Sequence, residues 1–173
     1  MLLLLDCDAP WAQEGLHRRP RVSSGRHTLG GGRDVTAHSS ELAVQTRGDG
    51  DTVAVTGLVR RESARSAVDS GIVLVSVVGS TAAITTIEYE PGLVADLGKA
   101  WERVAPAGIA YEHDRRWGDG NGHSHVRAAI LGPSTSIPLI HGELALGTWQ
   151  QVVLVDFDTR PRTRRIVVQV LGE

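Results

Sequence analysis

Residues 72–78 constrain the fold of this chain more than any other segment. They read Ile-Val-Leu-Val-Ser-Val-Val, an apolar run rich in β-branched side chains. Such a run is typical of a strand that is buried on both faces of a sheet. The sequence therefore predicts a central strand at residues 72–78.

The period of the apolar residues predicts the remaining elements. Further strands are expected at residues 41–46, 51–55, 82–88, 137–140, 146–157 and 165–171, and helices at 57–69, 93–104 and 124–131. The last two strands are expected to form a hairpin through residues 158–161. Residues 114–122 are charged and rich in glycine, which favours a loop. Strands in hairpins with two to three helices packed on them predict an α+β fold with a mainly antiparallel sheet.

The length and composition fit one domain with an N-terminal arm. The chain has 173 residues, 41% of them apolar, which is enough for one core. Residues 1–40 lack a sustained apolar period and contain three consecutive glycines at 30–32, so we expect a disordered or loosely packed arm and a candidate mis-assigned start. The folded domain is predicted to span residues 41–173.

Charge and cysteine content exclude several classes of function. Eighteen basic residues against 20 acidic ones give a net charge of −2, so we expect no nucleic-acid partner and no membrane partner. Residues 1–5 are apolar but too short for a signal peptide or a membrane span. Cys7 is the only cysteine, which excludes an internal disulfide and a thiolate metal cage. A cytoplasmic protein is predicted.

Three histidines are the candidate metal ligands. His123 and His125 are separated by one residue, and His113 lies ten residues before His123. Three imidazoles can occupy three corners of a tetrahedron around a divalent ion, with zinc as the expected metal and water at the fourth position. The alternative is that these histidines lie at the surface or cap a helix.

A phosphate site is predicted next to these histidines. The guanidinium of Arg127 can donate two parallel hydrogen bonds to a phosphate, and the hydroxyl groups of Ser134, Thr135 and Ser136, together with Asn121, can complete the site. A small phosphorylated substrate is the expected partner. The alternative is a surface arginine and a turn that enters a strand.

Glu88 and Asp119 are the candidate general bases or orienting carboxylates. Histidines that bind a metal usually donate their other ring nitrogen to a carboxylate or a carbonyl oxygen. Solvated turn residues are the alternative interpretation of both side chains.

A set of motifs in residues 41–173 resembles the YjbQ family, which is described as a family of secondary thiamine-phosphate synthases. The motifs are Tyr111-x-His113, Asp119-x-Asn121, His123-Ser-His125-Val-Arg127, Leu131-Gly-x-Ser134, Ile137-Pro138, Leu146-Gly-Thr-Trp-Gln150, Asp156-Phe-Asp158 and the terminal Val-Gln-Val-Leu-Gly-Glu173.

The resemblance implies an activity, a cofactor and an assembly. The reaction would join an aminopyrimidine-methyl diphosphate to a thiazole phosphate, and Arg127 would clamp the departing diphosphate. His113 and His125 would belong to a metal-binding cluster with His123 as its third member. A homo-oligomer is implied, with a trimer as the expected form.

One position departs from the family pattern. The family has a histidine before its Thr-Thr-Ala type segment, whereas this chain has Gly79 before Ser80-Thr-Ala82. Because glycine has no side chain, the predicted synthase is expected to be weak or impaired. The alternatives are a metal-dependent hydrolase of a small phosphorylated substrate, with Glu88 or Asp119 as base, and a non-catalytic oligomer that binds a metal or a small ligand.

Overall fold

The computed structural model describes residues 23–29 and 33–173. The strands are β1 (Ser23–Leu29), β2 (Arg33–Thr46), β3 (Asp51–Ala54), β4 (Gly71–Val78), β5 (Ala82–Glu88), β6 (Ser134–Ile140), β7 (Glu143–Leu144), β8 (Gln150–Asp156) and β9 (Arg162–Gly172). The helices are α1 (Thr56–Ser66), α2 (Pro91–Val104), α3 (Glu112–Trp117) and α4 (Gly122–Leu131).

The strands form two sheets. The larger sheet has the order β1-β2-β9-β4-β6-β7, and the smaller one has the order β3-β8-β5. Every pair of neighbouring strands is antiparallel. The predicted α+β class with a mainly antiparallel sheet is confirmed.

The molecule is built in three layers around β8. Val152 and Leu154 of β8 pack into the core between the two sheets, where α1 contributes Val59. Val153 and Val155 point the opposite way, into a second core that the smaller sheet shares with α2 and α4. An antiparallel strand with apolar side chains on both faces needs a layer on each side.

The strand buried on both faces is therefore β8 and not β4. In β4 the side chains of Val73, Val75 and Val77 are buried, whereas Ile72 and Val78 on the other face are exposed. β4 does lie inside the sheet, between β9 and β6. The apolar run predicted the strand correctly, but the described chain covers only one of its faces.

The described residues contain four helices where two to three were expected. The additional helix, α3, lies partly within residues 114–122, which were predicted to be a loop. Tyr111 precedes it in an extended conformation, and Gly118 ends it in the left-handed conformation at φ 72°. Glu112 and Asp114 lie in its first turn, where negative charge is favourable to the helix dipole.

The predicted hairpin of the last two long strands is not formed. β8 pairs with β3 and β5, whereas β9 pairs with β2 and β4 in the other sheet. Residues 157–161 therefore connect the two sheets. β8 requires a middle layer, and β9 buries only alternate side chains.

The larger sheet begins within the segment that was predicted to be an arm. β1 and the first part of β2 lie there, and β2 pairs with β9 from Thr36, opposite Gly172, to Thr46, opposite Arg162. Residues 1–22 and 30–32, including Cys7, lie outside the described residues. No helix in the described ranges is long and apolar enough to cross a membrane.

Candidate functional site

Two of the three predicted metal ligands lie together at the junction of α3 and α4. The rings of His113 on α3 and His125 on α4 have centroids 4.4 Å apart. The helices approach closely because Gly122 opens α4 directly against Tyr111, where a Cβ atom would lie 2.5 Å from the Tyr111 Cβ atom. The Gly122 amide donates to Asp114 Oδ1 at 2.8 Å, which fixes the junction.

Asp119, a candidate orienting carboxylate, and Asn121, which was expected at the phosphate site, both join this histidine pair. Asp119 Oδ1 lies 3.5 Å from His113 Nε2. With its amide nitrogen turned toward them, Asn121 donates to His113 Nε2 at 3.2 Å and to Asp119 Oδ1 at 3.1 Å. Asn121 is buried, so it connects this small polar network to the interior of the protein.

His123 does not join the pair. Its ring lies against Tyr111, with centroids 6.3 Å apart, and its buried Nδ1 atom has no hydrogen-bond partner. α4 begins at Gly122, two residues earlier than predicted, so that His123 and His125 both lie within the helix. Residues two apart on a helix point about 200° away from each other.

The predicted zinc site therefore does not fit this arrangement. The part of the chain that the structure describes contains no group of three His, Cys, Asp or Glu side chains that could hold a metal ion. A His-x-His pair could bind one ion from a strand, where alternate side chains share a face, but not readily from a helix.

Burial and positive charge favour the neutral form of both α4 histidines. Burial lowers the pKa of His125, and the neighbouring His113 lowers it further, against the opposing charges of Asp119 and Asp158. Burial also lowers the pKa of His123, with a second contribution from Arg127. Each neutral ring keeps one nitrogen that can accept a hydrogen bond.

The predicted phosphate site is not assembled. Arg127 is buried and donates from Nε to the Ala105 carbonyl at 2.9 Å and from Nη2 to Glu102 Oε1 at 2.5 Å, so that it ties α4 to α2. Ser134, Thr135 and Ser136 form the first residues of β6 and pair with β4 instead of forming a loop. They do not line the cleft that Arg127 lines.

Glu88 is also separate from the histidines. It is exposed at the end of β5, opposite Gln150 of β8. Of the two carboxylates proposed as bases, only Asp119 contacts the histidine pair.

Arginine side chains that the sequence analysis did not select lie next to His125. Arg164 on β9 is only 8% exposed. Its Nε and Nη2 atoms donate to the two carboxylate oxygens of the fully buried Asp156 at 2.6 and 2.5 Å, and Nη2 also donates to Thr81 Oγ1 at 2.8 Å. This two-pronged contact fixes the plane of the guanidinium.

Asp158 holds the second arginine. Arg162 Nε donates to Asp158 Oδ2 at 2.9 Å, and the Thr81 hydroxyl donates to the same oxygen at 3.0 Å. Burial opposes ionisation of Asp158, but these hydrogen bonds and the charges of Arg162 and Arg164 lower its pKa overall. Asp158 is thus a carboxylate that orients Arg162.

These side chains line a cleft of about 390 Å³, which we name the Arg164 cleft. Its walls are the end of β4 with residues 79–81, the beginning of β9, and the first turn of α4. His125 and Asn121 reach it from α4, and Gly79 and Ser80 are exposed on the opposite side.

Gly79 opens this cleft to Arg164. Its φ is +150°, and a Cβ atom at this position would lie 3.3 Å from Arg164 Nη1. Any side chain here would therefore press on the guanidinium. Glycine at the position where the family pattern has a histidine therefore leaves Arg164 accessible from the cleft.

A signal for Arg164 was present in the sequence. Along β9 the buried residues Ile166, Val168 and Val170 alternate with more exposed ones, and Arg164 is in phase with the buried set. An inward-facing charge requires a buried partner. The expected hairpin through residues 158–161 concealed this signal, because it placed Arg164 near an exposed turn instead of opposite a buried carboxylate.

The family model and the related proteins that match this chain all belong to one family. Residues 40–173 match the family model described as UPF0047 protein YjbQ-like. A UPF0047 protein of Methanothermobacter thermautotrophicus is 35% identical over 139 residues, which cover 80% of this chain and 95% of that protein. A UPF0047 protein of Archaeoglobus fulgidus is 43% identical over 101 residues, 58% of this chain and 78% of that protein.

Solved structures agree with these matches. The crystal structure of a YbjQ-like protein of unknown function from Sulfolobus solfataricus is similar with a TM-score of 0.76 and 32% identity, over 80% of this chain and 99% of that one. A hypothetical protein from Aeropyrum pernix gives a TM-score of 0.72 and 31% identity, over 78% and 98% of the two chains.

The predicted activity is corrected by these comparisons. The matched family is one of unknown function, and none of these names carries thiamine-phosphate synthase or metal-dependent hydrolase activity. Both predictions of activity were therefore wrong, and the resemblance carries the fold without a reaction. By sequence and by structure, the chain belongs to the YjbQ/UPF0047 family.

Proposed function

We propose that the Arg164 cleft binds a small phosphorylated molecule. The observation that carries this proposal is the free edge of Arg164. Its Nε and Nη2 atoms are held by Asp156 and Thr81, while Nη1 lies beside Gly79 and makes no hydrogen bond to a described residue. A rigid guanidinium with an open edge is suited to phosphate oxygens.

The lining and size of the cleft support the same ligand. Its lining includes three arginines, Arg162, Arg164 and Arg165, against one carboxylate, Asp158. Asp156 behind the cleft and Glu41 at its edge pair with Arg164 and Arg165, so cationic donors face the cleft while two of the three carboxylates lie behind it or at its edge. The volume of about 390 Å³ fits a small molecule. The Ser80 hydroxyl and neutral His125 add hydrogen-bonding groups beside Arg164.

Calorimetric titration with inorganic phosphate and with glycerol 3-phosphate tests this proposal. We expect saturable binding to the unaltered protein at constant ionic strength. Arg162→Gln removes one cation from the cleft and should weaken binding about tenfold, which corresponds to about 1.4 kcal/mol. Arg164→Lys keeps the charge but loses the guanidinium that Asp156 and Thr81 hold in place, with its free Nη1 donor, and it should weaken binding at least as much.

A matched control separates local from general charge effects. Arg60→Gln on the exposed face of α1 removes the same charge far from the cleft and should leave the affinity unchanged. Thermal melts of each variant show whether it is folded. Failure of the unaltered protein to bind phosphate saturably, or equal weakening by Arg60→Gln and Arg162→Gln, would refute the proposed site.

We also propose that the chain forms a homo-oligomer through the outer face of the larger sheet. Leu171 of β9, Ile72 of β4 and Pro138 of β6 lie side by side in register, and all three are exposed. Ile140 extends this row along β6. Adjacent apolar side chains on an uncovered sheet face favour burial against a second copy of the same face.

The cytoplasmic location inferred from the single cysteine stays a prediction.

A further inference from the structure

A second cleft lies between α2 and the turn that joins β2 to β3. We name it the Trp101 cleft; its volume is about 650 Å³, within the range of small-molecule sites. Arg127 reaches it from α4, whereas His125 reaches the Arg164 cleft. The two clefts share no lining residue.

Two fixed aromatic rings form one wall of the Trp101 cleft. Trp101 is half-buried and packs edge-on against Phe157, with ring centroids 5.2 Å apart at 79°. The Tyr89 hydroxyl donates to the Thr52 carbonyl at 3.0 Å, while 43% of the residue is exposed. Rings held in this way offer apolar surface to a ligand at little cost in conformational entropy.

One carboxylate in this cleft has no hydrogen-bond or ion-pair partner among the described residues. Arg47 binds Asp51 at 2.6 Å and Arg127 binds Glu102 at 2.5 Å, so these charges compensate each other in pairs. The exposed Asp49 side chain makes no hydrogen bond or ion pair with a described residue, although its charge acts on His123. Its backbone is fixed, however, because its amide donates to the Asp158 carbonyl at 2.7 Å.

A glycine in the middle of α2 keeps the cleft open. Gly98 lines the cleft, and no heavy atom lies within 4 Å of the position that its Cβ atom would occupy. Glycine in a helix interior costs about 1 kcal/mol relative to alanine, and no contact in the described structure requires this glycine. The open space above Gly98 is therefore available to a ligand.

We propose that the Trp101 cleft binds a small aromatic cation, with its ring against Trp101 and Tyr89 and its charged group at Asp49. An unpaired carboxylate beside aromatic faces stabilises a cation by a charge-assisted hydrogen bond and by the ring quadrupoles. The two arginines of the cleft are already bound to carboxylates, so they do not require an anionic ligand. This site is independent of the phosphate site proposed above.

Benzamidine, benzamide and benzoate provide a matched series of probes, because they share one ring and differ in charge. We expect saturable binding of benzamidine, observed by calorimetry and by a shift of the Trp101 indole NH signal that Trp101→Phe identifies. Benzamide should bind at least tenfold more weakly, and benzoate should not bind. Benzoate binding as tightly as benzamidine, or no saturable binding of benzamidine, would overturn the proposal.

Two variants test the position of the ligand without damage to the fold. Asp49→Asn keeps the size of the side chain, and asparagine tolerates the left-handed backbone of Asp49 at φ 52°, so it should weaken benzamidine binding at least tenfold. Gly98→Leu fills the open space and should abolish binding while the melting temperature stays equal or rises. Asp96→Asn, an exposed charge change on α2, is the control. Equal effects of Asp49→Asn and Asp96→Asn would contradict the assignment to Asp49.

Discussion

Two buried arginines, Arg164 and Arg127, have different roles because their guanidinium groups have different neighbours. Arg164 is held by Asp156 and Thr81, and its remaining nitrogen faces the open space beside Gly79. Arg127 instead donates to the Ala105 carbonyl at the end of α2 and to Glu102. Arg127 therefore joins two helices, although its position in the sequence suggested a ligand clamp.

Replacement of Arg127 by methionine should lower stability and leave phosphate binding intact. The variant loses hydrogen bonds from a charged group to Ala105 and Glu102, which should cost about 1 to 3 kcal/mol. Urea unfolding measures this cost, and titration with phosphate measures the other function. Arg103→Met, at an exposed position of α2, is the control and should change neither quantity. A marked loss of phosphate affinity in Arg127→Met would restore the clamp that the sequence suggested.

At the scale of elements, the site depends on how α3 approaches α4. Neither helix alone places two imidazoles in contact, because His113 and His125 belong to different helices. Gly122 permits the approach, and the hydrogen bond from its backbone amide to Asp114 fixes the distance between the two helices. The short α3 has an exposed basic last turn and no buried residue, so these contacts rather than a core hold it in place.

Gly122→Ala should separate the two helices. The new methyl group would lie 2.5 Å from the Tyr111 Cβ atom, so α3 must move, and we expect a loss of about 1 to 3 kcal/mol. Nuclear Overhauser effects between the His113 and His125 rings should weaken or disappear. Gly57→Ala on α1 is the matched control, because no atom lies within 4 Å of its Cβ position. Unchanged ring contacts in Gly122→Ala would show that α3 is held in another way.

For the molecule as a whole, the larger sheet has one covered face and one uncovered face. Val73, Val75 and Ile166 are fully or nearly fully buried on the covered face, whereas Ile72 on the other face is 54% exposed. The described part of the chain contributes no packing partner for this row of apolar side chains. The proposed homo-oligomer would bury it.

Ile72→Lys should dissociate the proposed assembly. Light scattering on the unaltered protein should give a multiple of the 18.5 kDa chain mass, with the trimer as the expected form. A lysine at the centre of the apolar row introduces like charges into a symmetric interface, so the variant should run as a monomer with its fold intact. Val104→Lys, at an equally exposed apolar position on α2, should have no effect. A monomeric unaltered protein would disprove the assembly.

The local sequence determined most of the strands and helices of residues 41–173, since apolar period and turn residues act over a few neighbouring positions. It predicted β4, β5, α2 and α4 within a few residues, and it predicted the α+β class. It also selected Asp119, Asn121, His113 and His125 as site residues, together with His123, and the structure brings the first four together at one helix junction.

The tertiary structure alone decided which sheet each strand joins and which charges meet. β8 lies in the middle layer because both of its faces are apolar, and this placement separates it from β9. It also brings Asp156 to Arg164, and Thr81 to Asp158 from 77 residues away along the chain. α4 begins two residues earlier than predicted, so His123 lies inside the helix and points away from His125. Pairing between distant segments depends on the packing of whole layers, which no local pattern specifies.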